Sequence, residues 1–226
     1  MEGFLIIVLL AVIILLPLKK YIFEEDAAVY KKMNRAKAKS TDGFKDGQTA
    51  KISGCIERVG TLLVAPLTGR ECVYYYVSVE ETGGGNSNLD KITIISKEDK
   101  TLYVTRDNDK CVLIGDADTK INIMLESKFH SGFRKDATKV IEDFLKRHGQ
   151  KSTGIWGANR SLYYTELILQ HGDKVAVVGT GNWQPACTMG LPETYGDVLV
   201  MGAKKGQYVY MSDNPGTIDN DNSYIL

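Results

Sequence analysis

A mainly β (α+β) domain behind an N-terminal transmembrane helix is the fold class this 226-residue sequence predicts. Three observations carry it: an uncharged apolar run near the start, short apolar runs broken by turn residues after Ser40, and one segment with apolar residues at helical spacing. The predicted division is a membrane anchor over 1–23, a juxtamembrane helical linker over 24–44, a β-rich barrel or sandwich over 45–215, and a polar tail over 216–226.

The anchor comes first. Gly3 to Leu18 (GFLIIVLLAVIILLPL) carries no charge, and at about 1.5 Å per residue a helix of this length spans about 24 Å. The bilayer core is about 30 Å thick. Tyr21, Ile22 and Phe23 lengthen the span if Lys19 and Lys20 snorkel toward headgroups. A cleaved export signal would want basic residues where Glu2 stands and small residues where Lys19 and Lys20 stand, so an uncleaved anchor is expected. A core helix apolar all round would have to be wrapped on every side. Lys19, Lys20, Lys31, Lys32, Arg35, Lys37 and Lys39 outnumber Glu24, Glu25 and Asp26, which predicts that the following domain faces the cytoplasm. With acids first and bases last, this stretch suits a short helix. It reads either as a solvated spacer or as a contact of its basic end with anionic lipid.

Strands are expected at Thr49 to Glu57, Leu62 to Ala65, Cys72 to Glu81, Lys91 to Ser96, Thr101 to Thr105, Lys110 to Ile114 and Lys120 to Glu126. So many short strands in succession suggest a barrel or sandwich. Thr82 to Asn88 (TGGGNSN) lacks the Gly-Lys-Ser/Thr of a phosphate loop and reads as a hairpin tip. The predicted helix is Lys135 to His148, with Val140, Ile141, Phe144 and Leu145 on one face and Gly149 as its stop. Three more strands follow at Asp173 to Gly179, Asp197 to Met201 and Gln207 to Met211. An internal echo links Gly47 to Gly54 (GQTAKISG) with Gly172 to Gly179 (GDKVAVVG), as if both were strands entered through a turn and left through a bend. Gly179 and Gly181 are expected to serve that bend through positive φ, with Trp183 folding back over the core.

Composition narrows the chemistry. Lys plus Arg equals Asp plus Glu at 28 each, which removes any overall pull toward a polyanion. Cys55, Cys72, Cys111 and Cys187 form no C-x-x-C pair and read as buried free thiols. His130, His148 and His171 lie in no local catalytic signature; His148 meets the last carbonyls of the predicted helix, and His171 sits in a surface turn. Asp116 with Asp118, and Asp219 to Ser223, lack the pattern of a calcium loop. Gln184 stands where a dinucleotide fingerprint needs its third glycine. No catalytic, cofactor-binding or metal residue is therefore assigned.

Three stretches together resemble the BAM or GIDE domain, the membrane-adjacent domain of MULAN/MAPL-type organelle ubiquitin ligases and their bacterial and archaeal relatives. The first is Ile52 to Glu57 (ISGCIE) with Leu63 to Tyr75 (LVAPLTGRECVYY). The second is Glu166 to Gly179 (ELILQHGDKVAVVG), and the third is Gly206 to Asp213 (GQYVYMSD). The match in order and spacing runs over about residues 45 to 215. It implies a β-rich domain working beside a bilayer. The family's ligases carry a RING with eight Cys or His zinc ligands, which four Cys and three His cannot supply, so ligase activity is not carried over.

The expected function is a membrane-anchored, non-catalytic binding or scaffold domain, with lipid as partner through residues 1–23 and an unspecified protein as the other. Two rivals have distinct marks. A thiol-dependent hydrolase or transferase would need Cys72 exposed, with a low pKa, beside a His. An OB-like binder of single-stranded nucleic acid would need a basic face studded with Tyr.

Overall fold

A computed structural model describes residues 28–82, 91–115, 118–124, 126–154 and 156–218. The apolar run over 3–18 and the tail from 219 onward lie outside the described residues, as do most of TGGGNSN and Asp116. Among the described residues no helix is long and apolar enough to cross a membrane.

The chain is mainly β, built on a mixed five-strand barrel. Its strands are β1 (Gln48–Arg58), β6 (Tyr103–Asp107), β7 (Lys110–Ile114), β11 (Lys174–Pro185) and β12 (Asp197–Gly202). The hydrogen-bonded order is β1-β6-β7-β12-β11, and β11 returns to β1 to close it. Every pairing is antiparallel except β7 with β12, where Val112 faces Leu199. Two more strands extend the sheet from the first half of β11: β13 (Val209–Ser212), and β8 (Thr119–Asn122) beyond it.

Alternation explains the apolar run of β11. Val175 and Val177 point into the barrel core with Ile52, Ile56, Val112, Leu199 and Met201. Ala176 and Val178 point outward and are covered by Val29 and Met33 of α1 (residues 28–35). Both faces of the strand are buried, so the sequence there is apolar without interruption. The segment read as a linker thus contributes to the packing, and Phe44 joins the barrel core. Trp183 does fold back: its indole N–H donates to Phe44 O at 2.9 Å.

The two segments of the echo turn out to be neighbours. β1 and β11 pair with Ile52 opposite Val177, Gly54 opposite Val175 and Ala50 opposite Gly179. Gly54 and Gly179 therefore sit symmetrically about the central pair. Both strands are entered through a left-handed glycine, Gly47 at φ 74° and Gly172 at φ 94°. The expectation of positive φ at Gly179 and Gly181 fails, because both lie in extended backbone within β11. Close approach is what excludes a side chain: a Cβ at 181 would stand 2.7 Å from Leu199 Cδ1, and one at 179 would stand 3.0 Å from Gly202 O.

A second layer is made from two excursions out of the barrel. Between β1 and β6 the chain forms the short pair β2 (Leu63–Val64) and β3 (Glu71–Cys72), then β4 (Tyr74–Thr82) and β5 (Lys91–Lys100). Between β7 and β11 it forms β8, β9 (Glu126–Ser131), α2 (Lys139–Arg147) and β10 (Leu162–Leu169). The excursions meet in an antiparallel sheet ordered β5-β4-β10-β9. Ile141, Phe144 and Leu145 of α2 cover one face against Val77, Val79, Leu162 and Tyr164.

Several boundaries differ from the sequence reading. The helix starts at Lys139 and not Lys135, because Thr138 caps it by accepting from Ile141 N–H, and residues 132–135 form a turn. The single strand expected at Lys120 to Glu126 is two, β8 and β9, and β10 was not foreseen.

Candidate functional site

The fold supplies a partner for the segment around Pro66, Gly69 and Cys72. Glu166 on β10 is fully buried and points at the turn that joins β2 to β3. Its carboxylate accepts from Leu67 N–H at 2.7 Å and Thr68 N–H at 3.1 Å. A buried carboxylate with two backbone donors holds the turn in one geometry. Cys72 lies beneath this turn, fully buried with Ala65 and Ile168. Burial, and then the Glu166 charge, push its thiol up to about 11. Cys72 is therefore the opposite of an activated nucleophile. The expectation of four buried thiols is half right: Cys72 and Cys111 are buried, Cys55 and Cys187 exposed.

The outer face of β6, β7 and β12 is covered by the chain itself. Val104, Cys111, Leu113 and Val198 alternate with the inward residues and meet Ala186, Leu191, Met189 and Tyr195 from the β11–β12 connection. That connection holds two 3-10 turns, Ala186–Met189 and Glu193–Tyr195. It is latched at Glu57, which accepts from Tyr195 OH at 2.8 Å and from Arg106 Nη2 at 3.0 Å, with a further Arg106 Nε contact. The Arg106 guanidinium holds the Glu57 carboxyl below its ordinary range, and burial and Glu57 raise the Tyr195 phenol to about 12.

Open clefts occur among the described residues, two of them of several hundred Å³. One, of about 460 Å³, lies at the end of the barrel among Glu98, Lys100, Tyr103, Ile114 and Asp118. The other, of about 410 Å³, lies between the second sheet and the start of α2, and it is the better candidate. Phe129 and Ile141 line it from the face of the sheet that α2 covers, Tyr163 and His130 from the opposite face, and Lys128, Lys135 and Asp136 add polar groups. His130 stacks on Tyr163 with ring centroids 4.6 Å apart. Lys91 Nζ lies 4.1 Å from the centroid of the Tyr163 ring and 3.3 Å from Glu80. Such a mixture of apolar area and few polar groups is suited to binding.

Of the three histidines, only His130 lines this cleft. His148 Nδ1–H donates to Phe144 O at 2.9 Å at the end of α2, the position expected for it, and His171 lies 3.1 Å from Ile56 O in its turn. Among the described residues no three His, Cys, Asp or Glu side chains converge as metal ligands would. The sequence reading gives Glu166 no role; its signal is a single carboxylate at an inward position of β10. Compared with known proteins, the chain matches no family model, no curated protein and no solved structure.

Proposed function

We propose that this chain is a membrane-anchored binding domain of the BAM/GIDE type, held beside the bilayer by residues 1–23 with its folded part on the cytoplasmic side. The cleft between β9, β10 and α2 carries the reading. It joins apolar area to a few polar groups. The resemblance of Leu63 to Tyr75 and Glu166 to Gly179 supports the family assignment. Glu166 adds a physical reason for that pairing, since it connects the two stretches by hydrogen bonds.

The rivals lose their specific marks. Cys72 is buried with a raised pKa, which does not support a thiol-dependent hydrolase or transferase. The barrel's order, numbered within the barrel, runs first, second, third, fifth, fourth and back to first, with third and fifth parallel. This is the connectivity of OB-type barrels, which bind oligonucleotides over their second and third strands. Here those strands are β6 and β7, and their outer face lies under the β11–β12 connection. A protein partner in the sheet–helix cleft is the reading retained.

The test has two arms. Alkaline carbonate should leave full-length protein in the membrane pellet; recovery in the supernatant overturns the anchor. A photocrosslinking residue at Thr138 in native membranes should give a discrete protein adduct that is absent when the residue is moved to Asp109 on the barrel. Equal labelling from both positions overturns the cleft.

A further inference from the structure

The second sheet ends at the outer edge of β9. In the order β5-β4-β10-β9 that strand has a neighbour on one side only. Thr82 N–H reaches Ser161 O and Val73 N–H reaches Leu169 O, so the odd-numbered residues of β10 turn their backbone groups toward β4. The even-numbered ones turn toward β9, where Leu162, Tyr164 and Glu166 stand opposite Ser131, Phe129 and Ser127. Lys128, His130 and Gly132 therefore direct their N–H and C=O groups away from the sheet.

The chain begins to use this edge and then leaves it. Gly132 N–H donates to Lys135 O at 2.8 Å and Lys135 N–H to Gly132 O at 2.9 Å, one bridge of an antiparallel ladder. Two residues further along such a ladder the chain would lie opposite His130. Thr138 instead caps α2 and takes the backbone off the edge. The N–H and C=O of His130 have no hydrogen-bond partner among the described residues.

The cleft of about 410 Å³ lies where that ladder would have continued. This accounts for its lining from both faces of the sheet: Phe129, Thr138 and Ile141 on the side that α2 covers, His130 and Tyr163 on the other. A pocket on one face would draw on one set only. A lining that wraps round an edge suits a strand, whose side chains alternate between the two faces.

The opposite edge of the sheet is guarded. β5 ends in the charged run Lys97 to Lys100 and breaks register opposite Val79 and Glu80, both devices that discourage an added strand. β9 pairs with β10 without a break. A second copy of β9 fits poorly, because its fullest antiparallel self-pairing sets Lys128 opposite Lys128, and like charges directly opposite destabilise a ladder.

We infer that the partner adds an extended segment antiparallel to β9, its backbone exchanging hydrogen bonds with His130. The segment's next side chain, opposite Phe129, is an apolar anchor packed toward Ile141, and the side chains before and after it lie on the side of His130 and Tyr163. The inference rests on the cleft reading and deepens it: the one says where a partner docks, the other in what conformation.

The test pans a phage-displayed library of random heptapeptides against the full-length protein in detergent micelles, and the enriched sequences are synthesised. His130→Pro removes the outward N–H and leaves the β9–β10 ladder untouched, whereas His130→Ala keeps the N–H and removes only the ring. Affinity should fall about tenfold in His130→Pro and stay within about threefold in His130→Ala. With the wild-type protein, N-methylation of the peptide residue before the apolar anchor should abolish binding, and N-methylation of the anchor should not. That scan needs no variant of the protein. Equal affinity for wild type and folded His130→Pro, a scan without alternation, or no enrichment over empty micelles overturns strand addition; a discrete adduct from Thr138 alongside any of these leaves the cleft reading intact. Equal photolabelling from Thr138 and Asp109 beside an alternating scan overturns the partner in membranes and leaves strand addition standing. A wild-type dimer that His130→Pro dissolves overturns the foreign segment in favour of a second copy, and enrichment seen only on a chain cut after Ile218 overturns it in favour of the chain's own tail.

Discussion

Replacing Gly54 by alanine tests the closest contact in the barrel. An added Cβ would stand 2.3 Å from Arg106 O, 2.7 Å from Arg106 C and 2.9 Å from Thr105 Cγ2. Non-bonded carbon and oxygen settle at roughly 3.2 to 3.5 Å, so β1 and β6 would have to part by about 1 Å. The two nearest atoms are backbone, and no rotamer relieves them. The β1–β6 ladder begins one residue later, with Cys55 opposite Arg106. Overpacking strain of about 1 to 3 kcal/mol and one weakened ladder bond of about 1 kcal/mol sum to roughly 2 to 4 kcal/mol. For a chain of this size, each kcal/mol moves Tm by about 2 to 4 °C, so a fall of roughly 5 to 15 °C is expected. Thermal unfolding of the detergent-solubilised full chain, followed by circular dichroism, measures it. Gly60→Ala is the control: its Cβ would meet only the Thr101 hydroxyl at 3.2 Å, which can turn away, and the change should stay within about 0.5 kcal/mol. Equal, small shifts for both variants would refute the claim that β1 needs glycine in order to pass β6.

Other consequences follow from the same geometry. Glu166→Gln keeps the shape but sets an NH2 group against Leu67 N–H or Thr68 N–H, and denaturant titration should show a loss of about 2 to 4 kcal/mol. Arg106 depresses the Glu57 carboxyl and Arg160 depresses Glu81; depressed carboxylates stabilise above their unfolded value of 4.5, and that contribution is lost as pH falls through the folded values. Glu57→Gln with Glu81→Gln should therefore flatten the acid side of a Tm-against-pH profile below about pH 5 and lower the plateau above it. Maleimide should modify Cys55 and Cys187 in the native protein within minutes and reach Cys72 and Cys111 only after denaturation, as read by intact mass.

Local patterns in this sequence were legible where one residue type had one job. β1, β7 and β11 stand out as apolar runs bounded by turn glycines, and α2 through Ile141, Phe144 and Leu145 at helical spacing. β10 was obscured because its inward series Leu162, Tyr164, Glu166, Ile168 places a carboxylate where alternation calls for an apolar side chain. Barrel closure depends on pairs such as Gln48 with Gly181, which no local window contains; the echo of Gly47–Gly54 in Gly172–Gly179 was its one trace. The cleft draws Phe129 and His130, Thr138 and Ile141, and Tyr163 from three separate segments, so its composition appears only after folding.

The late return of β11 to β1 sets a clock on synthesis. Gly47 hydrogen-bonds to Asn182, 135 residues further along the chain. At about 5 to 20 residues per second, β1 emerges from the ribosome roughly 7 to 27 s before its partner. Through that interval Ile52 and Ile56 lack Val175, Val177, Leu199 and Met201 from their core, and the edge that β11 will occupy offers unpaired N–H and C=O groups to any neighbouring strand. Because β4 and β10 also come from different excursions, the second layer cannot finish early and shelter the first. Nascent chains of this protein are thus exposed to mispairing until residue 202 has been made, and their yield should rise with holdase chaperones or slower initiation at lower temperature.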